Sequence, residues 1–407
     1  MHAPTTADLP HSTAASAGAL VGSPTGQDWR VSATLPVSYD VRVCEDLLDP
    51  ENPALEEAAF GGPSPRRLVI VEQRVHDLFG DRLAAYVSHR GLDARLVCVT
   101  ADEAVKDSTL GHRLLDAIDD FGIDRRTEPI IAIGGGVLLD VVGWVAGMYR
   151  RGTPYIRVPT TLIGLVDAGI GVKTAVNRNG HKNIIGSYHA PVRALLDPCF
   201  LTTLPDRHLS NGMAEIAKMG IVADEILWKL LAEHARSLVP SALGFRDDQL
   251  RDVGHEVIAR SVHSMLVELQ PNLWEGNLER IVDFGHTLSP SLEMAVLPEL
   301  LHGEAVSIDM AVSCAVSTGR GLLDHDDLAE IVRTLLVLGL PVSHDSCTPE
   351  LLGRALSHTT RHRGGKQRFP VPVRPGQAVF LEDVSVAELT DAIRLVRQIE
   401  ERCHAAV

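Results

Sequence analysis

The stretch Ile130-Ile-Ala-Ile-Gly-Gly-Gly-Val-Leu-Leu-Asp140 decides the fold. An apolar, β-branched run ends in three glycines, and a helix-like segment follows at once. A buried strand, a turn without Cβ atoms and a helix N-terminus together form a cradle for phosphate. A tight turn that binds nothing has the same appearance, because a triple glycine is not the GxGxxG fingerprint. Asp140, together with Glu103 and Lys106 after the preceding strand, favours a nucleotide site, since parallel strands end at one edge.

Apolar, β-branched runs alternate with helix-like segments in the first half of the chain. The runs lie at 67–71, 94–99, 130–133 and 155–159, and helix-like segments lie at 76–89 and 110–121. This alternation predicts an α/β fold with a Rossmann-like, mainly parallel sheet that is covered on both faces. We expect this domain to occupy residues 29–204.

After about residue 205 strand signals nearly vanish and helical periodicity dominates. Helix-like segments lie at 208–217, 225–237, 247–269, 278–297, 303–319, 326–338 and 386–402. The sequence therefore predicts a second, mostly α-helical domain at 205–407. Residues 1–28 are rich in Ala, Ser, Thr, Gly and Pro, which predicts a disordered tail.

The composition excludes several classes of protein. A chain of 407 residues is longer than one hydrophobic core usually supports, so two domains are expected. The formal charge of -15 argues against nonspecific nucleic-acid binding. Six scattered cysteines without a CxxC pair indicate reduced thiols. No stretch is apolar enough to span a membrane and the N-terminus lacks a signal peptide, so we expect a cytoplasmic protein.

A polar, glycine-rich run between Arg150 and Asn183 carries Arg, Lys, Asn and Thr, the donors that bind phosphate. A solvated basic loop is the alternative interpretation of this run. The apolar stretch at 162–166 lies inside it and favours the wall of a buried pocket.

Two histidines and a carboxylate form a candidate metal site. His286 and His302 each precede a helix-like run, and Glu215 lies on a predicted helix. Two imidazoles and one carboxylate leave positions open for water or substrate, as in catalytic zinc sites. Spacing alone does not establish the site, because the chain has 18 histidines and any one of them can be structural or exposed.

Six ordered motifs make the chain resemble the sugar phosphate cyclases, whose best-known member is 3-dehydroquinate synthase. The motifs are GGGVLLDVVGWVAGMYRRG, VPTTLIGLVDAGIGVKTAVN, GHKNIIG, NGMAEIAK, DFGHT and LHGEAV. The resemblance covers nearly everything after the tail. It implies an N-terminal domain that binds NAD and a helical domain that binds Zn²⁺, with Co²⁺ as an alternative metal.

The resemblance also implies roles for individual residues. The implied metal ligands are Glu215, His286 and His302. The implied NAD contacts are Glu72, Glu103, Lys106, Gly134, Gly135, Gly136, Asp140, Thr160, Thr161, Lys182 and Thr203. The implied catalytic and substrate-binding residues are Asp167, Lys173, Asn183, Lys218, Glu275, Asp283, His362 and Arg151. Arg151 corresponds to an arginine that reaches a neighbouring subunit's phosphate site, which implies a homodimer. Glu72 stands where the family more often has Asp.

Departures from the dehydroquinate synthase pattern indicate the substrate. Asp283 and Pro290 stand where those enzymes have asparagine and histidine. Their substrate lysine and arginine fall at Met265 and Glu279, next to Arg280. Because an unpaired buried anion is costly, the loss of both cations argues that the substrate carries no carboxylate. Sedoheptulose 7-phosphate fits, since it keeps the phosphate and has a neutral hydroxymethyl ketone end.

The pair Asp283 and His362 within this pattern is similar to the 2-epi-5-epi-valiolone synthases, a branch that serves cyclitol secondary metabolism and antibiotic biosynthesis. The implied reaction is transient oxidation by NAD, elimination of phosphate, reduction and intramolecular aldol closure, with no net redox change. Four alternative enzymes are a 2-epi-valiolone synthase, a desmethyl-4-deoxygadusol synthase, a 3-dehydroquinate synthase and a related alcohol dehydrogenase. A noncatalytic relative that binds NAD is the alternative of a different class.

Overall fold

The computed structural model describes residues 19–21, 27–62, 64–179 and 181–405. The strands are β1 Ala19–Val21, β2 Arg30–Ser32, β3 Asp40–Val43, β4 Arg66–Glu72, β5 Asp93–Val99, β6 Ile130–Gly134, β7 Tyr155–Pro159, β8 Lys173–Arg178, β9 His181–Tyr188, β10 Arg193–Leu196, β11 Phe369–Arg374 and β12 Gln377–Leu381. The helices are α1 Ala54–Ala59, α2 Gln73–His89, α3 Ser108–Phe121, α4 Gly136–Met148, α5 Asp206–Val222, α6 Glu225–Leu238, α7 Arg251–Leu269, α8 Ser289–Val296, α9 His302–Gly319, α10 His325–Val337, α11 Pro349–His362 and α12 Val386–Ala405. The predicted tail at 1–28 falls mostly outside the described residues and stays a prediction.

The chain divides into two compact units that interleave along the sequence. The first unit comprises the chain up to Ile133 together with Val137–Val158 and Val172–Leu195. The second unit comprises Gly134–Gly136, Pro159–Gly171 and Leu196 to the C-terminus. The domain boundary expected between residues 204 and 205 stays a proposal.

A six-stranded sheet in the order β3-β10-β7-β6-β4-β5 carries the first unit. β4 pairs in parallel with both β5 and β6, and β10 pairs in parallel with β7. β6 and β7 are buried along their whole length, as strands covered on both faces must be. The predicted Rossmann-like parallel sheet is confirmed.

Apolar faces of α3 and α4 form the core of the first unit against the sheet. Leu114, Ile118 and Leu139 are fully buried in one cluster with Ile70 and Ile130. α3 begins at the side chain of its N-cap residue, Asp107, which accepts hydrogen bonds from the amides of residues 109 and 110.

The second unit is mostly helical, as predicted, and α9 is buried along nearly its whole length. One prediction about this unit was wrong in part. An α-helix was expected over 278–297, but the α-helix in this region, α8, begins only at Ser289. Gly285 has φ +74, and a Cβ there would lie 2.7 Å from Met310 Cγ. The backbone therefore turns at Gly285 in a conformation that no regular helix contains.

Three further predictions about local structure were incomplete. The second unit contains the antiparallel pair β11–β12, although strand signals were expected to vanish there. α11 was not predicted, although Thr348 caps it and Pro349 occupies its first turn. The polar run at 150–183 is less loop-rich than expected, because besides the predicted strand at 155–159 it contains β8 and the start of β9.

None of the helices among the described residues is long and apolar enough to cross a membrane.

Candidate active site

Three side chains of the second unit bring potential metal ligands together. Glu215 lies on α5, His286 follows the turn at Gly285, and His302 is the first residue of α9. Their ligand atoms all lie within 4.8 Å of one another. Glu215 Oε1 is 3.2 Å from His302 Nε2 and 3.7 Å from His286 Nε2. The structure thus brings the three predicted metal ligands into one cluster.

The outer nitrogen of each imidazole has a partner that orients the ring. His286 Nδ1 lies 3.1 Å from the carbonyl oxygen of Phe284, and His302 Nδ1 lies 3.2 Å from Glu293 Oε2. A proton on each Nδ1 can donate to these oxygens, so Nε2 is the atom of each ring that is available to a metal. The carboxylate is 1 % exposed, and neither of its oxygens accepts a well-directed hydrogen bond from the described residues. Two nitrogens and a buried carboxylate in this arrangement fit a divalent cation such as zinc.

Burial and neighbouring charges shift the pKa values of the clustered side chains. Burial alone would raise the pKa of Glu215, but Lys218 and the two imidazoles hold that pKa well below its usual range. Burial lowers the pKa of His286 to about 4. Burial would lower the pKa of His302, but the neighbouring carboxylates of Glu215 and Glu293 outweigh burial and raise that pKa to about 10. A carboxylate that stays ionised and a neutral His286 are the forms that bind metals.

Lys218 places an ammonium group beside the metal ligands. It lies one turn after Glu215 on the same face of α5, and its Nζ is 2.5 Å from Glu215 Oε2. Burial would lower the pKa of Lys218, yet Glu215, Asp167 and Asp283 raise it. Asp167 lies on a single π-helical turn at 164–168, a feature that is frequent at functional sites.

The predicted substrate residues Asp283 and Glu275 lie on the irregular segment before His286. Both carboxylates contact Arg280, and Asp283 also contacts Arg363. His362 is the last residue of α11, and its side chain lies outside the described part of the structure. The position at which dehydroquinate synthases have a substrate lysine is Met265, which is 2 % exposed on α7.

The glycine turn after β6 packs without room for side chains. A Cβ on Gly135 would lie 3.1 Å from Thr161 Cγ2, and one on Gly136 would lie 3.2 Å from Ala168 Cβ. The carbonyl of Gly134 accepts a hydrogen bond of 3.0 Å from the amide of Thr160. This cradle would be filled by Cβ atoms, so the residues fit a dinucleotide phosphate at the N-terminus of α4.

The predicted NAD-site residues of the first unit form a hydrogen-bonded network. Lys106 Nζ lies 2.6 Å from both Asp140 Oδ2 and Asn183 Oδ1. Asn177 Nδ2 donates to Glu103 Oε1 at 2.7 Å, and its Oδ1 accepts from the amide of Asn183 at 2.9 Å. Burial raises the pKa of Asp140, while Lys106 opposes that shift. The network joins the cofactor residues to Asn183.

Five other residues that the sequence predicts for the site are described by their local contacts. Glu72 caps α2 by accepting the amide of residue 75, and Lys182 lies 3.6 Å from Glu103. Thr203 donates to the carbonyl of residue 200 at 3.1 Å. Lys173 is exposed at the start of β8, and Arg151 is exposed on a turn where its φ is +65. These local contacts do not bring the five residues together in one site.

Sequence reasoning missed three residues that support the site. Glu293 orients His302, Asn177 links Glu103 to Asn183, and Asp309 accepts the amides of residues 288 and 289 at 2.6 and 2.9 Å. Asp309 lies on α9 and therefore ties the segment after His286 to the helix that begins at His302. Only Asn177 was part of a recognised motif, and the other two lie on predicted helices without a distinguishing signal.

Family models match the greater part of the chain. The model described as 3-dehydroquinate synthase N-terminal matches residues 96–211, and the model described as 3-dehydroquinate synthase C-terminal matches residues 212–362. The chain belongs to the 3-dehydroquinate synthase family, so the predicted resemblance is confirmed.

Relatives within this family carry the name that the sequence pattern favoured. A 2-epi-5-epi-valiolone synthase of Actinomyces sp is 48% identical over 91% of this chain and 98% of its own length. A second, from Streptomyces hygroscopicus subsp. jinggangensis, is 49% identical over 90% of this chain and 89% of its own length. The solved structure of ValA, a 2-epi-5-epi-valiolone synthase from the same organism, has NAD+ and Zn2+ bound. It matches at a TM-score of 0.86 with 48% identity, covering 91% of this chain and 99% of ValA.

Proposed function

We propose that this chain is an NAD- and metal-dependent cyclase that converts sedoheptulose 7-phosphate to 2-epi-5-epi-valiolone and phosphate in cyclitol secondary metabolism. The observation that carries the proposal is the cluster of Glu215, His286 and His302, whose ligand atoms lie within 4.8 Å of one another. Similarity over 91% of the chain to a 2-epi-5-epi-valiolone synthase supports the choice of product.

The family motifs assign the metal to Glu215, His286 and His302, and they assign NAD contacts to the glycine turn at 134–136 and to the residues of the Lys106 network. The chemistry supplied by these bound groups is Lewis acidity and reversible hydride transfer. Glu293 would accept a hydrogen bond from the Nδ1–H of His302, which fixes the tautomer in which Nε2 can coordinate a metal.

The family motifs assign the phosphate end of the substrate to cationic and amide donors. Lys218 is 2 % exposed and its pKa is raised, so its ammonium stays protonated and can bind an anion. Asn183 presents its side chain from β9, with its carbonyl oxygen held by Lys106 at 2.6 Å. This leaves its amide group as a donor for a phosphate oxygen. Lys173 and Arg151 add two exposed positive charges to the set.

At the ketone end, the residues favour hydroxyl groups over a carboxylate. Met265 offers no charge where dehydroquinate synthases have a lysine. Asp283 presents a carboxylate, which accepts hydrogen bonds from hydroxyls and repels another carboxylate. His362 is assigned to the same end by the motif. Sedoheptulose 7-phosphate has the neutral, hydroxylated end that these residues require.

The test is product analysis with two substrates. Purified, zinc-loaded protein with catalytic NAD+ is incubated with sedoheptulose 7-phosphate or with the dehydroquinate precursor, and products are identified by NMR. We expect a cyclitol and free phosphate from the first substrate, without net NADH. The configuration of the ring separates 2-epi-5-epi-valiolone from the alternative, 2-epi-valiolone. Dehydroquinate from the second substrate would contradict the proposal.

We further infer that the protein is a homodimer in which Arg151 serves the partner's phosphate site. Arg150 and Arg151 have φ of +49 and +65, and Gly152 follows at +117. Consecutive non-glycine residues in this region are strained and cluster at functional positions. Light scattering gives the oligomeric state, and a monomeric, active enzyme would contradict the inference. Mixing inactive Arg151→Ala and His302→Ala subunits should restore activity, because each mixed dimer contains one complete site.

We also propose a cytoplasmic location. The six cysteines are scattered along the chain without a CxxC pair, which suits a reducing compartment. Fractionation of the producing cells tests this, and recovery of the protein outside the cytoplasmic fraction would contradict it.

A further inference from the structure

Three acidic and three basic side chains form a continuous ladder in the second unit. The acids lie on the irregular segment before the first metal histidine, and two of the arginines lie just after α11. The members of this acid–arginine ladder are Glu275, Glu279, Asp283, Arg280, Arg363 and Arg368. Positive and negative charges are equal in number within it.

Arg280 is the central member of the ladder. Its Nη2 lies 2.5 Å from Asp283 Oδ1 and its Nε lies 3.2 Å from Asp283 Oδ2, a two-point contact of the kind that fixes a carboxylate plane. Its Nη1 contacts Glu275 Oε1 as well. Glu275 has φ of +53, a strained backbone conformation for a residue with a side chain. One guanidinium therefore orients both predicted substrate carboxylates.

The ladder continues to the end of α11. Arg363 directly follows His362, is 8 % exposed, and places Nη2 3.0 Å from Asp283 Oδ2. Arg363 and Arg368 each donate from Nη1 to the backbone carbonyl of the other. Arg368 Nε lies 3.5 Å from Glu279 Oε1. The turn after α11 is thus tied to the segment that carries Asp283.

We propose that Arg280 is a specificity-determining positioning residue that holds Glu275 and Asp283 and is thereby withheld from any carboxylate on the substrate. A guanidinium that already bonds two internal carboxylates has few donors left for a third. Binding a carboxylate substrate would require this pairing to break, at the cost of leaving Asp283 without its two-point partner. The held carboxylates still accept hydrogen bonds from hydroxyls. This inference rests on the proposed function, whose ketone end is neutral.

The first experiment frees Arg280 and asks whether a carboxylate ligand then binds. The dehydroquinate precursor is titrated calorimetrically into the holoenzyme and into Asp283→Asn, both loaded with zinc and NAD+. A neutral amide weakens one of the two carboxylate contacts that hold Arg280, so we expect Asp283→Asn to bind the precursor about tenfold tighter or more, as a charged hydrogen bond provides.

Glu279→Gln is the matched control. It removes the same negative charge from the same segment but touches Arg368 rather than Arg280. We expect it to bind the precursor as weakly as the wild type. Equal affinity of the wild type and Asp283→Asn would overturn the inference, and so would an equal gain in Glu279→Gln. Binding needs no turnover, so a wild type that fails to cyclise sedoheptulose 7-phosphate contradicts only the proposed function.

The second experiment separates positioning from folding. Arg280→Lys keeps the charge but loses the two-point contact. We expect KM for sedoheptulose 7-phosphate to rise about tenfold, with the melting temperature and zinc content unchanged. Arg280→Met should raise KM further. Arg394→Lys is the control, because Arg394 forms an exposed pair with Asp391 at the same sequence spacing. An unchanged KM in a folded Arg280→Lys would overturn the inference.

Discussion

The regions around Glu128 and Glu215 bury a carboxylate in two different ways. In the first unit, Glu128 is 2 % exposed and accepts hydrogen bonds from Ser64 at 2.5 Å, from Arg66 at 3.1 and 3.2 Å, and from the amide of Asp124 at 2.8 Å. In the second unit, Glu215 is 1 % exposed, pairs with Lys218 and lies 3.2 and 3.7 Å from the Nε2 atoms of His302 and His286, without a well-directed hydrogen bond from the described residues.

This difference separates a structural acid from a ligand. A buried carboxylate costs several kcal/mol unless donors satisfy it. Hydrogen-bond donors of the protein satisfy Glu128, whereas Glu215 lies among residues that could hold a cation together with it. The region around Glu128 should therefore be indifferent to metal, and the region around Glu215 should depend on it.

Removing one metal ligand should have the largest effect. We expect His302→Ala to lose bound zinc and to reduce turnover by at least about 1,000-fold, because two remaining ligands hold zinc poorly and Lewis acid chemistry is lost. Metal analysis and product formation measure this. His325→Ala, at the exposed start of α10, is the control and should keep both. Full zinc content in folded His302→Ala would contradict the assignment.

Chelation of the metal should have the second-largest effect, a loss of thermal stability. At about 100 times the dissociation constant, a bound metal adds about 2.7 kcal/mol, or about 3 °C in melting temperature for a chain of this length. Calorimetry before and after EDTA tests this, and added zinc should reverse the loss. A melting temperature that EDTA does not change would contradict the proposed difference between Glu128 and Glu215.

Glu128→Gln should destabilise the protein by about 2 kcal/mol, with or without metal. Burial would raise the pKa of Glu128, but hydrogen bonds from Arg66 and Ser64 outweigh it and lower that pKa below its usual value. The stabilisation is therefore present above the usual pKa of a glutamate and is lost as the pH falls through the lowered value.

Urea denaturation at several pH values checks this prediction. The difference between the wild type and Glu128→Gln should shrink below about pH 4. Glu225→Gln removes an exposed partner of Lys229 and should leave stability unchanged. A constant difference between the wild type and Glu128→Gln down to pH 2 would show that the carboxylate charge is not what stabilises this region.

Glu293→Gln should have the smallest effect of the four. It weakens the partner of His302 Nδ1 without removing a ligand, so zinc affinity should fall about tenfold. Competition with a chromogenic chelator measures the affinity. Glu233→Gln, exposed on α6, is the control. A zinc affinity equal to that of the wild type would contradict the role of Glu293 in orienting His302.

The parallel sheet was predictable because β4 to β7 are apolar runs bounded by helices, which is a local signal. The helix expected over 278–288 failed for a nonlocal reason. Asp309, on α9, caps α8 from a distance, and the sequence around the cap does not show it. β11 contains Pro370 and Pro372, which argue against a strand interior but are tolerated in a two-stranded sheet.

The cluster of Glu215, His286 and His302 was predictable because each residue lies in a recognised motif. Their partners were not, since Glu293 and the arginines of the ladder are ordinary charged residues in sequence and acquire a role only from packing. Glu128 illustrates the same limit, because its donors at 64, 66 and 124 come from separate segments.

Anomalous diffraction at the zinc edge from zinc-loaded crystals tests the central claim most directly. We predict one strong peak in the second unit, about 2.0 to 2.2 Å from the Nε2 atoms of His286 and His302 and from a Glu215 oxygen. No peak should lie near Glu128. A zinc ion held by other residues, or no peak at the cluster in a fully loaded protein, would contradict the account.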